Sequence, residues 1–180
     1  VAARAYTLIV GGAFDTVIIL APSHYAAVSN AWLPTTDVYE TPLGVVPVSP
    51  QARTLAKARP FIVDPHFLVQ RPQWAGMSSR PEPSPGEDTP ETWEHSAEVQ
   101  IPFLQCALKD FHVLPIIFGR VAPEEVARAL VPVVNDRTLV IASSDLSHYH
   151  AYEEAQRLDQ QTVKWICETN VPALQSPQAE

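Results

Sequence analysis

TVIILAPSHY, residues 16–25, carries the strongest indication of the fold in this sequence. Its first six residues are apolar or β-branched and too few for a helix of ordinary length, so we expect a buried strand. A polar turn containing His24 follows directly, which places an imidazole just beyond a strand end. Two similar runs, HVLPIIFG (112–119) and TLVIASS (138–144), predict further buried strands.

Helical patterns separate these strands. Apolar residues recur every three or four positions in 90–109, 123–134 and 151–168, and a weaker helix is predicted at 50–59. Strands that alternate with helices imply right-handed crossovers and a mainly parallel sheet. The sequence therefore predicts an α/β fold, with a central sheet covered by helices on both faces. The more extended segment 37–48 predicts additional β structure.

The composition restricts the class of protein and its partners. A chain of 180 residues with 46% hydrophobic and 18% charged residues is typical of a single globular domain. The net charge of -8 and the lack of a large Lys and Arg cluster argue against a nucleic-acid partner. No apolar run approaches the roughly 20 residues of a membrane span, so we expect a soluble protein with no membrane partner. The oligomeric state stays open.

Cellular location is suggested by the two cysteines. Cys106 and Cys167 both fall within helical patterns, which predicts reduced thiols that are buried as small hydrophobic residues. Because free thiols are typical of a reducing compartment, we expect a cytoplasmic protein.

Residues 71–91 are rich in proline and break the alternating pattern. Proline cannot propagate a helix or a strand ladder, so this stretch is predicted to be a surface loop. It ends just before His95. It could therefore act as a lid over a site, but we favour an ordinary loop insertion.

Histidines follow two of the predicted strands. Open parallel sheets bind ligands beyond the carboxyl ends of their strands. His24 follows the first strand, and Asp145 and His148 follow the strand at 138–144. If these strands are neighbours, the three side chains converge on one pocket. His95 can reach the same pocket, because a crossover helix begins near the carboxyl edge of the preceding strand.

Imidazole side chains bind transition metals and move protons near neutral pH, so this cluster is suited to either role. A single histidine after a strand is more often structural, and we assign His66, His112 and His150 to that class. Ser143 and Ser144 suggest a serine hydrolase only weakly, since the G-x-S-x-G motif is absent. The sequence contains neither a P-loop nor a G-x-G-x-x-G motif, so it gives no indication of a nucleotide cofactor.

Five motifs, in this order and spacing, resemble the Memo family: APSHY (21–25), YETPLG (39–44), EHSAEVQIPFLQ (94–105), LPIIFG (114–119) and SSDLSHY (143–149). The likeness covers nearly the whole chain. Bacterial and archaeal members of the family are often called AmmeMemoRadiSam system protein B. The resemblance implies a three-layer fold similar to the class III extradiol dioxygenases of the LigB type.

The resemblance also implies a mononuclear iron or copper site. His24 would be a metal ligand, Asp145 and His148 would be acid-base residues beside the metal, and His95 would lie near substrate or dioxygen. Family members carry further ligands in an upstream APHAGY-like motif and a downstream CG motif, and neither motif occurs here. We therefore expect the remaining ligands outside this chain, which would lack both ends of its domain. Cys167 lies within a helical pattern and does not replace the missing cysteine.

These observations favour redox or extradiol-dioxygenase-like chemistry on a small molecule. A non-catalytic module that binds a peptide or partner protein in the same cleft is the alternative, since one scaffold can serve different functions. Zinc-dependent hydrolysis is a third possibility, and it would require three protein ligands around an open position.

Overall fold

A computed structural model describes residues 2–63, 69–77, 82–84, 86–88 and 93–176. The chain divides into a larger unit, Val1–Ser143, and a smaller unit, Ser144–Glu180. The larger unit contains all of the strands in the described ranges, and the smaller unit is helical after an irregular first segment.

The strands in the described residues are β1 (Thr16–Pro22), β2 (Ala31–Leu33), β3 (Val38–Thr41), β4 (Gly44–Pro47), β5 (Phe61–Val63), β6 (His112–Phe118) and β7 (Thr138–Ala142). The α-helices are α1 (Ala2–Tyr6), α2 (Gln51–Leu55), α3 (Ile101–Ala107), α4 (Pro123–Leu130), α5 (Tyr152–Cys167) and α6 (Val171–Leu174). Short 3-10 turns occupy Thr7–Ile9, Glu98–Gln100 and Val131–Val133.

Five strands form the central sheet in the order β5-β2-β6-β1-β7. β1 lies parallel to β6 on one side and to β7 on the other, so that Ile18 stands opposite Leu114 and Val140. β2 runs antiparallel to β6, and β5 pairs in parallel with β2. The predicted α/β fold with a mostly parallel sheet is confirmed, and the reversed pair of β2 and β5 is an addition to it.

The direction of each strand decides on which side of the sheet its carboxyl end lies, and we call these two sides, where the strands begin and end, the edges of the sheet. The carboxyl ends of β1, β6 and β7 lie at one edge, whereas those of β2 and β5 lie at the opposite edge, because this pair is reversed. His24 follows β1 and therefore lies at the first edge.

β3 and β4 form a separate antiparallel hairpin, which accounts for the extended character of 37–48.

Alternate residues of β1 enter two hydrophobic clusters. Val17 and Ile19 pack in a cluster that includes Leu104 of α3, and Ile18 packs in a cluster that includes Val126 of α4. All five side chains are almost completely buried. Burial of such a side chain contributes roughly 1.5–3 kcal/mol, so the sheet that carries His24 is anchored from both faces.

A glycine fixes the loop after β1 against the end of β6. A Cβ built on Gly119 would lie 2.0 Å from the backbone carbonyl oxygen of Val28, so only glycine allows this approach. The next residue, Arg120, donates its backbone N–H to the same carbonyl at 2.7 Å. The loop that follows His24 is thereby tied to the neighbouring strand.

The helix predicted at 90–109 is interrupted in the structure. Residues 89–92 lie outside the described ranges, Trp93 is helical, 94–97 are not, 98–100 form a 3-10 turn, and the following α-helix begins at Ile101. Two causes are visible. Pro102 occupies the first turn of α3, where its missing N–H is not required, and the Glu94 side chain binds backbone N–H groups of the following residues.

The expected burial of the cysteines is wrong. Cys106 and Cys167 are free thiols, and both are exposed. Each lies on a helix, as predicted, but on the side that faces away from the helix's apolar stripe, which the sequence spacing alone did not resolve.

Candidate functional site

His24 lies in a turn that is fixed to β6. The backbone N–H of Ser23 donates to the carbonyl of Phe118 at 2.9 Å, extending the pairing of β1 and β6 by one step. The Ser23 hydroxyl then donates to the carbonyl of Ala26 at 2.7 Å, which closes the turn. His24 is thus held at the carboxyl edge by one backbone and one side-chain hydrogen bond of the preceding serine.

Glu94 is the buried centre of the site. Its Oε2 accepts the backbone N–H of His24 at 2.6 Å. Its Oε1 lies 3.0 Å from Nδ1 of His24 and accepts the backbone N–H groups of His95 at 2.8 Å and Ser96 at 3.0 Å. The carboxylate therefore joins the turn after β1 to the segment before α3.

This arrangement fixes the tautomer of His24. An ionised carboxylate only accepts hydrogen bonds, so Nδ1 of His24 must carry the proton that points to Glu94. The lone pair of the neutral ring is then on Nε2, and the side chain is 36% exposed. A carboxylate that orients a histidine in this way is the usual second partner of a metal-ligating imidazole.

The charge of Glu94 is stabilised where it lies. Burial raises the pKa of the Glu94 carboxyl, but the hydrogen bonds from the backbone and ring of His24, and from the backbone of Ser96 and His95, outweigh burial. The net result is a pKa below the usual value of a glutamate. Glu94 is therefore ionised at neutral pH even though its side chain is only 5% exposed.

His95 places a second imidazole beside the first. The rings of His24 and His95 stack with centroids 4.9 Å apart, and the His95 side chain is 51% exposed. Tyr25 flanks His95 at 6.0 Å between ring centroids. One donor atom from each of His24, Glu94 and His95 lies within 4.8 Å of the others, which identifies the three as a possible metal-binding group.

The donor set fits a borderline transition metal. Imidazole nitrogen suits iron, copper and zinc, whereas calcium and magnesium prefer oxygen. The Glu94 carboxylate already receives four hydrogen bonds, so we assign it to orientation of His24 rather than to direct ligation. His24 and His95 are then the available ligands, and the two imidazoles leave further coordination positions for other groups.

Ser143, at the end of β7, supports the same segment. Its hydroxyl donates to the carbonyl of Ser96 at 2.8 Å and accepts the side-chain amide of Gln100 at 2.9 Å. Gln100 in turn accepts the hydroxyl of Tyr6 at 2.6 Å, while the Ser96 hydroxyl donates to the carbonyl of Pro22 at 2.7 Å. Because both roles of the Ser143 hydroxyl are occupied, its geometry is that of a structural residue and not of a nucleophile.

The proline-rich stretch contacts the residue before Glu94. Trp93 donates from its indole N–H to Asp88 at 2.8 Å, and Arg71 pairs with the same carboxylate at 2.9 Å while lying over the Trp93 ring. The hydrogen bond from Arg71 lowers the pKa of Asp88. Gln70, directly before this stretch, donates its backbone N–H to the carbonyl of Tyr25 at 2.9 Å. Together these contacts brace both segments that carry the histidines.

Comparison with known proteins identifies the family. The sequence profile of the Memo-like proteins matches residues 76–177. The chain belongs to the Memo family. It is 29% identical over 181 residues to a MEMO1 family protein of Pyrobaculum aerophilum, covering 97% of this chain and 57% of that protein.

Two further Memo relatives agree with this assignment. A MEMO1 family protein of Methanococcoides burtonii is 33% identical over 168 residues, which cover 89% of this chain and 54% of the relative. One of Archaeoglobus fulgidus is 32% identical over 167 residues, or 87% of this chain and 53% of the relative. The chain thus spans a little over half the length of these curated relatives.

The other predicted Memo site residues lie in the smaller unit. Nε2 of His148 is 3.3 Å from Oδ2 of Asp145, and both side chains are largely exposed. The backbone N–H of Ser147 donates to Asp159 at 2.9 Å, and hydrogen bonding from Ser147 lowers the pKa of Asp159. Tyr149 has a positive φ of 62°, which turns the chain toward α5.

The predicted cluster is therefore assembled in two parts. The structure brings His24 and His95 together in the larger unit and pairs Asp145 with His148 in the smaller one. β1 and β7, the strands that precede these groups, are neighbours, as the argument for convergence required. Convergence of the two pairs, and the roles assigned to their members, stay predictions.

Three histidines were assigned no role. His112 is the first residue of β6 and is exposed, and His150 is also exposed. His66 lies outside the described residues.

Glu94 was missed as a functional residue, although it stands directly before His95 in the quoted motif. The signal available in the sequence was the position of this carboxylate directly before His95, because metal-ligating imidazoles are commonly oriented by a carboxylate.

In the described parts of the chain, no helix is both long and apolar enough to cross a membrane.

Proposed function

We propose that this Memo-family protein holds one iron or copper ion and carries out oxidative chemistry on a small molecule. The observation that supports the proposal most directly is the buried Glu94 carboxylate, which fixes Nδ1 of His24 as a donor and leaves Nε2 for a ligand. His95 adds a second imidazole at a ring distance of 4.9 Å. Groups other than His24, Glu94 and His95 would supply the remaining metal ligands.

The protein groups and the metal would contribute different things. When bound, iron or copper supplies one-electron redox chemistry that amino-acid side chains lack. His24 and His95 would hold the ion, and Glu94 would keep the His24 ring in one orientation and one tautomer. The exposed side of the two rings would receive the substrate.

The pair of Asp145 and His148 supplies acid-base chemistry in this proposal. A carboxylate 3.3 Å from an imidazole nitrogen orients the ring, which is an arrangement suited to a general acid or base. His148 would take a proton from the substrate or return one to it, and Asp145 would stabilise the charged ring. The family resemblance gives the same roles.

The test is metal analysis of protein expressed from its native gene and purified anaerobically. We expect close to one iron or copper per chain and oxygen consumption by the metal-loaded protein. His24→Ala should reduce the bound metal to less than a tenth, whereas His112→Ala, an exposed histidine on β6, should retain it.

Two outcomes would contradict the proposal. Protein that is metal-free as purified and shows no affinity for iron or copper would overturn it and favour the binding-module alternative. Equal metal loss in the His24→Ala and His112→Ala variants would show that metal binds to surface histidines without a defined site.

A further inference from the structure

A second cleft lies at the edge of the sheet opposite His24. Because β2 and β5 are reversed relative to β1, their carboxyl ends point away from the histidine site. The last residues of these two strands, Leu33 and Val63, both line a cavity of about 590 Å³. This volume lies within the range of small-molecule sites, and parallel strands commonly bind ligands beyond their carboxyl ends.

The cleft combines apolar walls with two cations. Leu33, Val48 and Val63 supply apolar surface, while Arg53 and Lys57 lie one helical turn apart along the chain of α2 and its C-terminal extension. The chain as a whole carries a net charge of -8. A pair of cations in one cleft of an acidic protein creates a local positive potential that attracts anions.

One carboxylate lines the same cleft, and it neutralises only part of this charge. Asp37 lies 3.2 Å from Nη2 of Arg53, and both side chains are highly exposed. An exposed pair of this kind is weak and easily exchanged for another anion. Within the described ranges, Lys57 has no carboxylate partner, so the described part of the lining carries two cations and one carboxylate.

The wall also contains a buried hydroxyl. Ser49 is only 2% exposed and lines the cavity. Its Oγ accepts the backbone N–H of Gln51 at a long 3.4 Å, and among the described residues no acceptor receives its proton. A hydroxyl in this position can donate to a ligand oxygen.

We propose that this cleft binds a small organic anion, with an apolar body against Leu33, Val48 and Val63 and a single carboxylate or phosphate group between Arg53 and Lys57. Charge-assisted hydrogen bonds from the guanidinium and ammonium would hold the anionic group, which would displace Asp37 from Arg53. The Ser49 hydroxyl would donate to the bound molecule. This site is separate from the proposed metal centre and does not depend on it.

The test is a titration of the protein with phenyl phosphate, in which binding is monitored by methyl NMR. We expect saturable shifts at Leu33, Val48 and Val63, with weaker binding of neutral benzyl alcohol and of inorganic phosphate, which each lack one half of the recognised chemistry. Benzoate distinguishes a carboxylate from a phosphate preference.

Paired variants separate the site from general surface charge. The double variant Arg53→Gln and Lys57→Gln should bind phenyl phosphate at least tenfold more weakly than the parent and benzyl alcohol with unchanged affinity. The control double variant Lys109→Gln and Arg128→Gln removes two cations that do not line the cleft, and it should bind both compounds with the affinity of the parent.

Three outcomes would overturn the proposal. These are the absence of NMR shifts at Leu33, Val48 and Val63, equal affinity for benzyl alcohol and phenyl phosphate, and an equal loss of affinity for phenyl phosphate in both double variants. Because none of these readouts involves a metal, they are independent of the test of the His24 site.

Discussion

Replacing Glu94 by glutamine changes one oxygen of the buried carboxylate into an amide. The four groups that bind Glu94 are all N–H donors: the backbone and ring of His24 and the backbones of His95 and Ser96. Glutamine keeps the shape and one acceptor oxygen. Its NH₂ group can occupy the position of Oε2, where it would face the backbone N–H of His24 with no acceptor between them.

The expected cost follows from this count. Leaving one buried donor unsatisfied costs about 1–3 kcal/mol, and loss of the negative charge weakens the remaining hydrogen bonds. We expect Glu94→Gln to lower the free energy of unfolding by about 3 kcal/mol. For a chain of this length, that change lowers Tm by roughly 6–12 °C. Loss of the group that orients His24 should also weaken metal binding by about 10–100-fold.

Thermal unfolding followed by circular dichroism, together with metal titration, measures both effects. The matched control is Glu98→Gln, since Glu98 is exposed, lies in the same motif and is four residues away. It should change the free energy of unfolding by less than about 0.5 kcal/mol. A Glu94→Gln variant with the stability and metal affinity of the parent would refute the central role of this carboxylate.

The remaining predictions concern the support of the site, its response to pH and the core. Ser143→Ala should lower the free energy of unfolding by about 1–2 kcal/mol in urea titrations, because it removes two partly buried hydrogen bonds, whereas Ser144→Ala, whose exposed hydroxyl bonds only to the next carbonyl, should be neutral; equal effects would contradict the network. Because the folded pKa of Glu94 is lowered, its contribution is complete above the usual value of 4.5 and is lost as pH falls through the folded pKa. The free energy of unfolding of the parent should therefore fall more than that of Glu94→Gln on acidification below about pH 4.5. The same dependence on pH in both proteins would contradict this prediction. Leu104→Ala should cost about 3 kcal/mol by opening a cavity in the core, while Leu43→Ala, on an exposed hairpin turn, should cost less than about 0.5 kcal/mol; similar denaturation midpoints would contradict the assigned burial.

The central part of the fold could be predicted because its signals are long. β1 and β6 are seven-residue runs that lie inside the sheet and are buried along most of their length. The five-residue run of β7 was recognised as a strand, but its predicted burial is wrong, because β7 lies at the edge of the sheet and is partly exposed. β2 and β5 have only three residues each, too few to show a periodicity. Their reversed direction, which creates the second cleft, depends on tertiary pairing with β6 and has no local sequence signal.

The site was predictable in part for a related reason. His24 could be recognised because it follows a strong strand, and His95 because a crossover helix was expected to start near it. Glu94 escaped because its importance comes from hydrogen bonds to a residue 70 positions away, which spacing along the chain does not reveal. The same contacts keep the segment at His95 from becoming the long helix that the periodicity predicted.

The most direct test of the His24 site is histidine-selective NMR of the protein during titration with Co²⁺, a paramagnetic ion that accepts imidazole ligands. We expect the ring signals of His24 and His95 to broaden first and to completion at one equivalent, while the signal of His112, at the opposite end of the parallel strands, remains. Equal broadening of His24 and His112, or retention of the His24 signal at one equivalent, would contradict a defined metal site at the carboxyl edge of β1.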